Sequence, residues 1–261
     1  MEKKILYLLT CVGLCWSSCT NEVDEFIGNV EPSTRSVSTA LNANLASLFT
    51  GGAPTLTSAE IKEVNDAYAK MTSINCYRNI DEAVRNKTSY AGTIFLDDTY
   101  ASAYFRKGSL AFPPYGILAS SMEHEFIHMY QRDVQGKKVD TDKEKRDTGM
   151  MEFELAFYQG IIRYIHAGYS WTFKGEDGDP SYQSLWTSGL TDPSLIPQYE
   201  REFQTYVASI CANGKPTSID INEFVKWSNI FGEYSRGYSG KGYKFGNYDY
   251  GTSCINSLLK L

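Results

Sequence analysis

The sequence predicts an α+β domain in which a small sheet packs on one helix and a mainly helical part follows. Two observations carry this prediction. Residues 92–97 and 101–112 are short runs rich in aromatic and apolar residues, as in strands. Downstream of them, apolar residues recur at helical spacing as far as about residue 234. Hydrophobic residues make up 42% of the 261 residues, which suits one domain with a sizeable core.

The first helix is expected to begin at Thr57, because Thr57 and Glu60 have the spacing of a capping box. Apolar residues then recur at helical intervals through Met71. Between the two predicted strands, residues 97–99 are expected to form a turn. The prolines at 113–114 then end the sheet region.

Four further helices are expected after the sheet. An apolar stripe predicts a helix over residues 117–134, and a second stripe predicts one over residues 150–166. Two more are expected near residues 194–212 and 220–234. The stretch from Tyr238 onward is rich in Gly and Tyr and is expected to be irregular.

The N-terminus has the features of a secretory signal over residues 1–18. Lys3 and Lys4 form a basic start, and an apolar run at residues 5–14 follows. That run is too short to span a bilayer as a mature helix. Small residues then precede Cys19, as they do at a cleavage site.

The segment Trp16-Ser17-Ser18-Cys19 resembles the lipobox of bacterial lipoproteins, with Trp16 where Leu is usual. The resemblance implies that Cys19 becomes the lipidated first residue of an exported protein. It also implies location in the outer membrane or at the cell surface, because Thr20 and the acidic stretch 22–25 are similar to the corresponding sorting signals. Membrane contact is then expected through the lipid anchor only, and plain secretion without lipid is the alternative.

A tether is expected over residues 19–56, so that the folded domain spans residues 57–261. Polar stretches with turn-forming residues lie at 31–34 and 50–54. A short helix is expected between them at residues 41–49.

The charge of the chain excludes nucleic-acid binding, and its cysteine content excludes a zinc site built from thiolates. The formal net charge is −6, and the sequence has no block of Lys and Arg that would suit nucleic acid. After loss of the signal, Cys76, Cys211 and Cys254 are left as thiols, which allow at most one disulfide. They are too few and too scattered for a thiolate zinc site.

The segment with the clearest chemistry contains His124, Glu125 and His128. Two His residues four apart on a helix project from the same face, where they can bind one metal ion. Glu125 lies about 100° around the helix from His124, within reach of a metal-bound water. This is the His-Glu-x-x-His motif of zinc metallopeptidases, and it contains two of the three His residues of the chain.

The motif predicts a zinc-dependent peptide hydrolase that acts on a peptide or protein substrate. Catalytic Zn²⁺ binds imidazole nitrogen and keeps one position open for water. It lowers the pKa of that water to about 7. Glu125 is expected to act as the general base and then to pass the proton to the leaving amine.

A third ligand is expected on the next helix, since no third His follows the motif as in metzincins. The sequence Met-Glu-Phe-Glu-Leu-Ala at 151–156 is similar to the Glu-x-Glu-Ala signature of gluzincins, with Leu155 as a departure. The resemblance covers residues 122–156. It implies a zincin-like fold with Glu152 as the ligand. Glu154 remains the alternative ligand, because residues two apart on a helix cannot easily bind the same metal.

Residues around the motif suggest further roles. In gluzincins the strand before the active-site helix is an edge that binds extended peptide, and the resemblance implies this role for residues 101–112. A solvated edge is the alternative. Gln131 lies on the metal-binding face and is expected to orient a ligand or the substrate. His166 lies about 21 Å along the helix from Glu152, too far to share the metal.

Two readings compete with the hydrolase. The first is a catalytically inactive surface binding lipoprotein on a zincin scaffold, which the Tyr-rich composition suits. The second is a glycan hydrolase, which is disfavoured because no carboxylate pair stands out as the metal motif does. A Tyr often stabilises an oxyanion in zinc sites, but the 19 tyrosines do not single one out.

Overall fold

The computed structural model describes residues 40–137, 145–166, 191–212, 215–235 and 238–261. The predicted signal sequence, the predicted lipidation site at Cys19 and most of the predicted tether lie outside these residues. The structure therefore bears on the folded domain and its candidate site.

The described chain mixes helices with a small sheet, which confirms the α+β class. The α-helices are α1 Ala43–Leu48, α2 Ser58–Ser73, α3 Asn75–Lys87, α4 Ala119–Met129, α5 Lys145–His166, α6 Ile196–Ile210, α7 Ile221–Tyr234 and α8 Ser253–Leu258. The strands are β1 Ile94–Leu96, β2 Tyr104–Arg106, β3 Ser109–Phe112, β4 Cys211–Ala212 and β5 Lys215–Pro216. A π-helical turn, Tyr130–Val134, continues α4, and 3₁₀ turns lie at Pro193–Leu195 and Tyr248–Tyr250.

The folded domain begins earlier than residue 57, so the C-terminal part of the predicted tether is wrong. The short helix expected there is present as α1, but Leu48 and Phe49 are buried in the core. Phe49 also forms a bridge with Tyr90, and the Thr50 N–H donates to the Tyr90 carbonyl at 2.8 Å. Burial of these apolar side chains draws the segment onto the domain.

Helix α2 begins as its capping box predicts. The Glu60 N–H donates to Thr57 Oγ1 at 3.3 Å, and the Thr57 N–H donates to Glu60 Oε2 at 2.6 Å. Two orphan donors of the first turn are thereby satisfied. Val64 and Met71 then lie on the buried face, as their spacing predicts.

The three-stranded sheet differs from the prediction in its connections. The expected single strand over 101–112 is a hairpin, because Lys107 (φ 52°) and Gly108 (φ 77°) form a two-residue turn between β2 and β3. The order is β1-β3-β2, with β1 parallel to β3 and β2 antiparallel to it. A turn does lie near residues 97–99. The strands before and after this turn, β1 and β2, do not pair with each other, because β3 lies between them in the sheet.

Within the described residues, β2 is the edge strand of this sheet that lies beside α4, and it pairs with β3 on one side. The Leu110 N–H donates to the Thr93 carbonyl at 3.0 Å, on the β1 side. Leu110 is paired with Phe105 across the hairpin. In an antiparallel ladder, such a pair is not hydrogen-bonded, so the backbone groups of Phe105 face away from β3.

Helix α4 and its π-helical turn together match the helix expected over 117–134. The Gln135 N–H donates to the Tyr130 carbonyl at 3.0 Å, five residues back, which defines the wider turn. Met122 and Phe126 are fully buried on the inner face of α4. Helix α4 packs against α2, α3 and α5, which fixes its orientation in the domain.

The helical part forms an aromatic core around α5. This helix begins at Lys145, five residues before the predicted start. Its residues predicted to face inward are all buried, namely Met150, Phe153, Phe157, Ile161 and Tyr164. Helices α6 and α7 lie where two helices were expected. They pack Phe203 and Phe224 onto α5, and Trp227 packs on Phe203.

The C-terminal stretch is seated closely on the helices, although few of its residues are regular. A Cβ at Gly232 would lie 2.1 Å from the Phe245 ring, and one at Gly149 would lie 2.7 Å from the Lys244 carbonyl oxygen. Only glycine permits such close approach. The prediction of an irregular tail is thus only partly right, since α8 buries Cys254 and Leu258.

Two further findings concern the surface and the thiols. Among the described residues, no helix combines the length and apolar character that crossing a bilayer requires. Cys76, Cys211 and Cys254 are not joined by disulfides.

Candidate metal centre

Helix α4 brings His124 and His128 together on one face, one helical turn apart. Their Nε2 atoms are 3.2 Å from each other, and the two rings lie edge to face at 81°. Both side chains are largely buried. Two imidazole nitrogens therefore point at the same small volume.

Helix α5 adds the carboxylate of Glu152 to this pair. Glu152 Oε1 lies 3.3 Å from His128 Nε2, and Oε2 lies 3.7 Å from His124 Nε2. Each of the three residues offers one atom that could bind a metal, and these three atoms lie within 4.8 Å of one another. His124, His128 and Glu152 thus form a group that could hold a metal ion.

The electrostatics of this group suit a cation between its members. Burial disfavours charge on both His128 and Glu152, but their attraction outweighs it. Glu152 raises the pKa of His128 to about 9, and His128 lowers the pKa of Glu152 to about 2. Burial lowers the pKa of His124, so this imidazole is a neutral donor. Two imidazoles and one carboxylate are a ligand set of catalytic zinc sites, and the residues present fit that ion.

Glu125 lies beside the ligand group without joining it. It is 4% exposed, and its Oε1 is 4.0 Å from His124 Nε2. Burial raises the pKa of its carboxyl group, whereas the neighbouring His124 and His128 and the backbone of Phe105 on β2 lower it. Its position matches that expected of a general base next to the metal.

Gln131 forms a hydrogen bond with the ring nitrogen of His128 that is not directed at the ligand group. This contact agrees with its spacing on the helix. His128 Nδ1 donates to Gln131 Oε1 at 2.9 Å. The Gln131 amide in turn donates to the Met151 carbonyl at 3.0 Å and to Glu154 Oε2 at 2.8 Å. With one proton held on Nδ1 by Gln131, Nε2 is the nitrogen of His128 that would bind a metal ion, after releasing its own proton.

Glu154, the alternative ligand, lies on another side of α5 and outside the ligand group. It is fully buried. Its Oε2 accepts hydrogen bonds from Gln131 and from Tyr250 at 2.9 Å, and burial raises the pKa of its carboxyl group. The physical reason is the helix itself, which turns about 200° between residues two apart.

Two tyrosines at this site were not identified from the sequence. The Tyr238 hydroxyl donates to Glu152 Oε2 at 2.8 Å, and the Tyr250 hydroxyl donates to Glu154. Their only sequence signal is the Tyr-rich tail, which does not separate them from Tyr248, which is 57% exposed. Contacts across 86 and 96 residues leave no spacing pattern to detect.

His166 lies as far from the site as expected. Helix α5 continues without a break from Lys145 to His166, so the fourteen residues after Glu152 span about 21 Å.

The chain matches no family model, no curated protein and no solved structure in the comparisons with known proteins. The gluzincin resemblance therefore depends on the motif residues alone.

Proposed function

We propose that this protein is a zinc-dependent peptide hydrolase, with Glu125 as the general base. The observation that supports this proposal is the convergence of His124, His128 and Glu152 beside a buried carboxylate that is not part of the ligand group. Resident zinc would be held by these three side chains.

The residues of the chain divide the chemistry between them. Zn²⁺, when bound, supplies Lewis acidity that lowers the pKa of water and polarises a carbonyl group. Glu125 accepts the proton of the attacking water at its carboxylate and passes it to the leaving amine. Its low exposure keeps bulk water from competing for that carboxylate.

The position of β2 supports a peptide as the substrate. The backbone groups of Phe105 face the open edge of the sheet, and they are near enough to Glu125 to lower the pKa of its carboxyl group. A peptide that pairs with this edge in extended form brings its own backbone close to the general base. The main-chain hydrogen bonds would orient the scissile bond whatever its side chains.

We also propose that the chain is exported and anchored to the outer membrane or cell surface through lipid on Cys19. This part of the proposal depends on residues 1–25 alone. Mass spectrometry of the membrane fraction would test it, with Cys19→Ala as the variant that should lose the lipid.

A second function is favoured by one surface feature. Tyr100 is 49% exposed, Tyr115 is 68% exposed and Leu118 is 37% exposed, and the Tyr115 hydroxyl donates to the Ala101 carbonyl. Exposed aromatic residues suit a contact surface. The alternative is therefore a catalytically inactive surface binding protein that retains the metal-site scaffold.

The experiment that tests the hydrolase is Glu125→Gln, with Glu123→Gln on the same helix as the matched control. Zinc content by mass spectrometry should remain one ion per chain in both variants. Cleavage of a fluorogenic peptide library should fall by about 10²–10⁴-fold in Glu125→Gln only, since general base catalysis supplies about that factor.

The outcomes separate the two functions. A wild-type protein that binds zinc but cleaves no peptide would favour the binding protein. Unchanged cleavage in Glu125→Gln would contradict the proposed mechanism. Absence of zinc after reconstitution would contradict the metal site.

A further inference from the structure

Both sets of hydrogen bonds behind the metal ligands end in the same part of the chain. Tyr238 contacts Glu152 directly, and Tyr250 connects to His128 through Glu154 and Gln131. Residues 238–254 are called the C-terminal segment below. The segment contains no member of the ligand group itself.

We propose that the C-terminal segment holds two of the three metal ligands in position and thereby sets the affinity of the site for zinc. Tyr238 and Tyr250 are positioning residues in this proposal. The proposal depends on the zinc site of the proposed function and does not depend on peptide hydrolysis.

The first connection restricts the carboxylate of Glu152. Tyr238 donates to Oε2 at 2.8 Å, whereas Oε1 is the oxygen nearer to His128, at 3.3 Å. Occupying one oxygen leaves the other directed at the ligand group. The Tyr238 ring is fixed by contacts with Phe231 at 5.1 Å and Tyr243 at 5.5 Å.

The second connection fixes the orientation of an amide. Because the amide nitrogen of Gln131 donates to Glu154 and to the Met151 carbonyl, its oxygen is turned towards His128 Nδ1. Loss of the acceptor at Glu154 would remove one of the two bonds that hold this orientation. A reversed amide would present N–H groups to His128 and oppose the tautomer that binds metal.

Tyr250 is itself firmly placed. It is 7% exposed, and its ring lies nearly parallel to that of Phe224, at 13°. Lys137 lies 3.8 Å from the centre of the Tyr250 ring and also donates to the Tyr250 carbonyl at 2.9 Å. These contacts fix the Tyr250 ring, and its hydroxyl is thereby held where it donates to Glu154.

The C-terminal segment also has its own attachment to α7. The Gly246 N–H donates to Ser228 Oγ at 3.0 Å, and Phe245 packs on Phe231 at 5.8 Å. These contacts lie away from the ligand group. They allow the two tyrosine hydroxyls to be removed without releasing the segment.

The test is the zinc affinity of the full chain, measured by competition with a chromogenic chelator. Tyr238→Phe and Tyr250→Phe each remove one hydroxyl, and Tyr248→Phe in the same segment is the matched control. We expect each of the first two to weaken zinc binding by about 10–100-fold, as loss of a partner behind a ligand does. Tyr248→Phe should bind as the wild type does.

A second pair of variants examines the connection through Glu154. Glu154→Gln keeps an oxygen acceptor for Gln131 and Tyr250, and its zinc affinity should stay within about 10-fold of the wild type. Glu154→Leu keeps a side chain of similar size but removes the oxygen that accepts these hydrogen bonds. This variant should bind zinc as weakly as Tyr250→Phe does. Thermal unfolding of the zinc-free proteins shows whether each variant folds.

The outcomes distinguish this proposal from the proposed function. If the wild type binds zinc and Tyr238→Phe and Tyr250→Phe bind it equally well, the positioning role is wrong and the hydrolase still stands. Equal affinity of Glu154→Gln and Glu154→Leu would overturn the second connection. A wild type that binds no zinc would overturn both proposals, whatever the variants do.

Discussion

Two sides of helix α5 carry the same residue type in opposite surroundings. Glu152 faces two imidazoles, and the attraction of His128 overcomes burial and lowers the pKa of Glu152. Glu154 faces an amide, a phenol and the Cys254 thiol, and burial raises the pKa of its carboxyl group. Glu152 thus presents a negative charge, whereas Glu154 is a hydrogen-bond acceptor within the interior.

The difference shows how a helix separates two roles over a very short stretch of sequence. A rotation of about 200° places one carboxylate at the ligand group and the other behind it. The same carboxylate can bind a cation or align its neighbours, depending on what faces it. Four predictions test this division and the packing that surrounds it, beginning with the largest expected change in free energy.

Phe153, between the two carboxylates in sequence, should matter most for stability. It is fully buried and packs on Phe157, Phe224 and Phe231. Phe153→Ala should lower the free energy of unfolding by about 3–5 kcal/mol, measured by urea denaturation. Tyr115→Ala, at an exposed position, should change it by less than about 0.5 kcal/mol. A loss below about 1 kcal/mol for Phe153→Ala would contradict the packing of α5.

Glu152→Gln and Glu154→Gln make the same chemical change on the two sides of α5. We expect zinc affinity to fall by more than about 100-fold in Glu152→Gln, because a ligand charge is lost, and by less than about 10-fold in Glu154→Gln. Chelator competition at fixed ionic strength measures both. A reversed order would make Glu154 the ligand.

Removing the acceptor at Glu154 should destabilise the protein even without metal. Glu154→Leu leaves the Gln131 amide and the Tyr250 hydroxyl short of a buried partner. Each such loss costs about 1–3 kcal/mol. Urea unfolding in the presence of a chelator measures this loss. Equal stability of Glu154→Leu and the wild type would show that water replaces the carboxylate.

The smallest effect is expected at a position far from α5. Thr57→Ala removes the side-chain cap of α2 and should lower stability by about 1 kcal/mol. Zinc affinity should not change, since α2 contributes no ligand. Thr57→Ser keeps the cap and serves as the control. A weaker zinc site in Thr57→Ala would mean that stability alone sets zinc affinity, and the contrast between the two sides of α5 would lose its meaning.

Local patterns in the sequence predicted the parts of the site that lie on single helices. The spacing of His124 and His128 predicted their common face, and the position of Gln131 predicted its place behind them. The capping box at Thr57 was confirmed for a similar reason, because its hydrogen bonds join residues three apart. Such contacts depend on helix geometry alone.

The rest depends on contacts between distant residues. Nothing near Tyr238 or Tyr250 indicates which carboxylate each will meet. The hairpin was missed because Lys107 adopts a positive φ that its residue type rarely favours. The domain boundary was placed too late because the partners of Phe49, including Tyr90, lie well downstream. Tertiary packing determines these features, and the periodicity of the sequence does not show which distant residues will come into contact.

The candidate metal ligands and the tyrosines proposed to position them lie far apart in the sequence. This separation affects the order in which the parts of the site are synthesised. A ribosome completes the ligand residues first and reaches Tyr238 only 86 residues after Glu152. At the usual rates of synthesis this interval is about 4–17 s. A nascent chain therefore carries the three residues of the candidate metal site before it has the tyrosines that we propose to position them, and in this proposal the site acquires its final shape only after the later segment has docked.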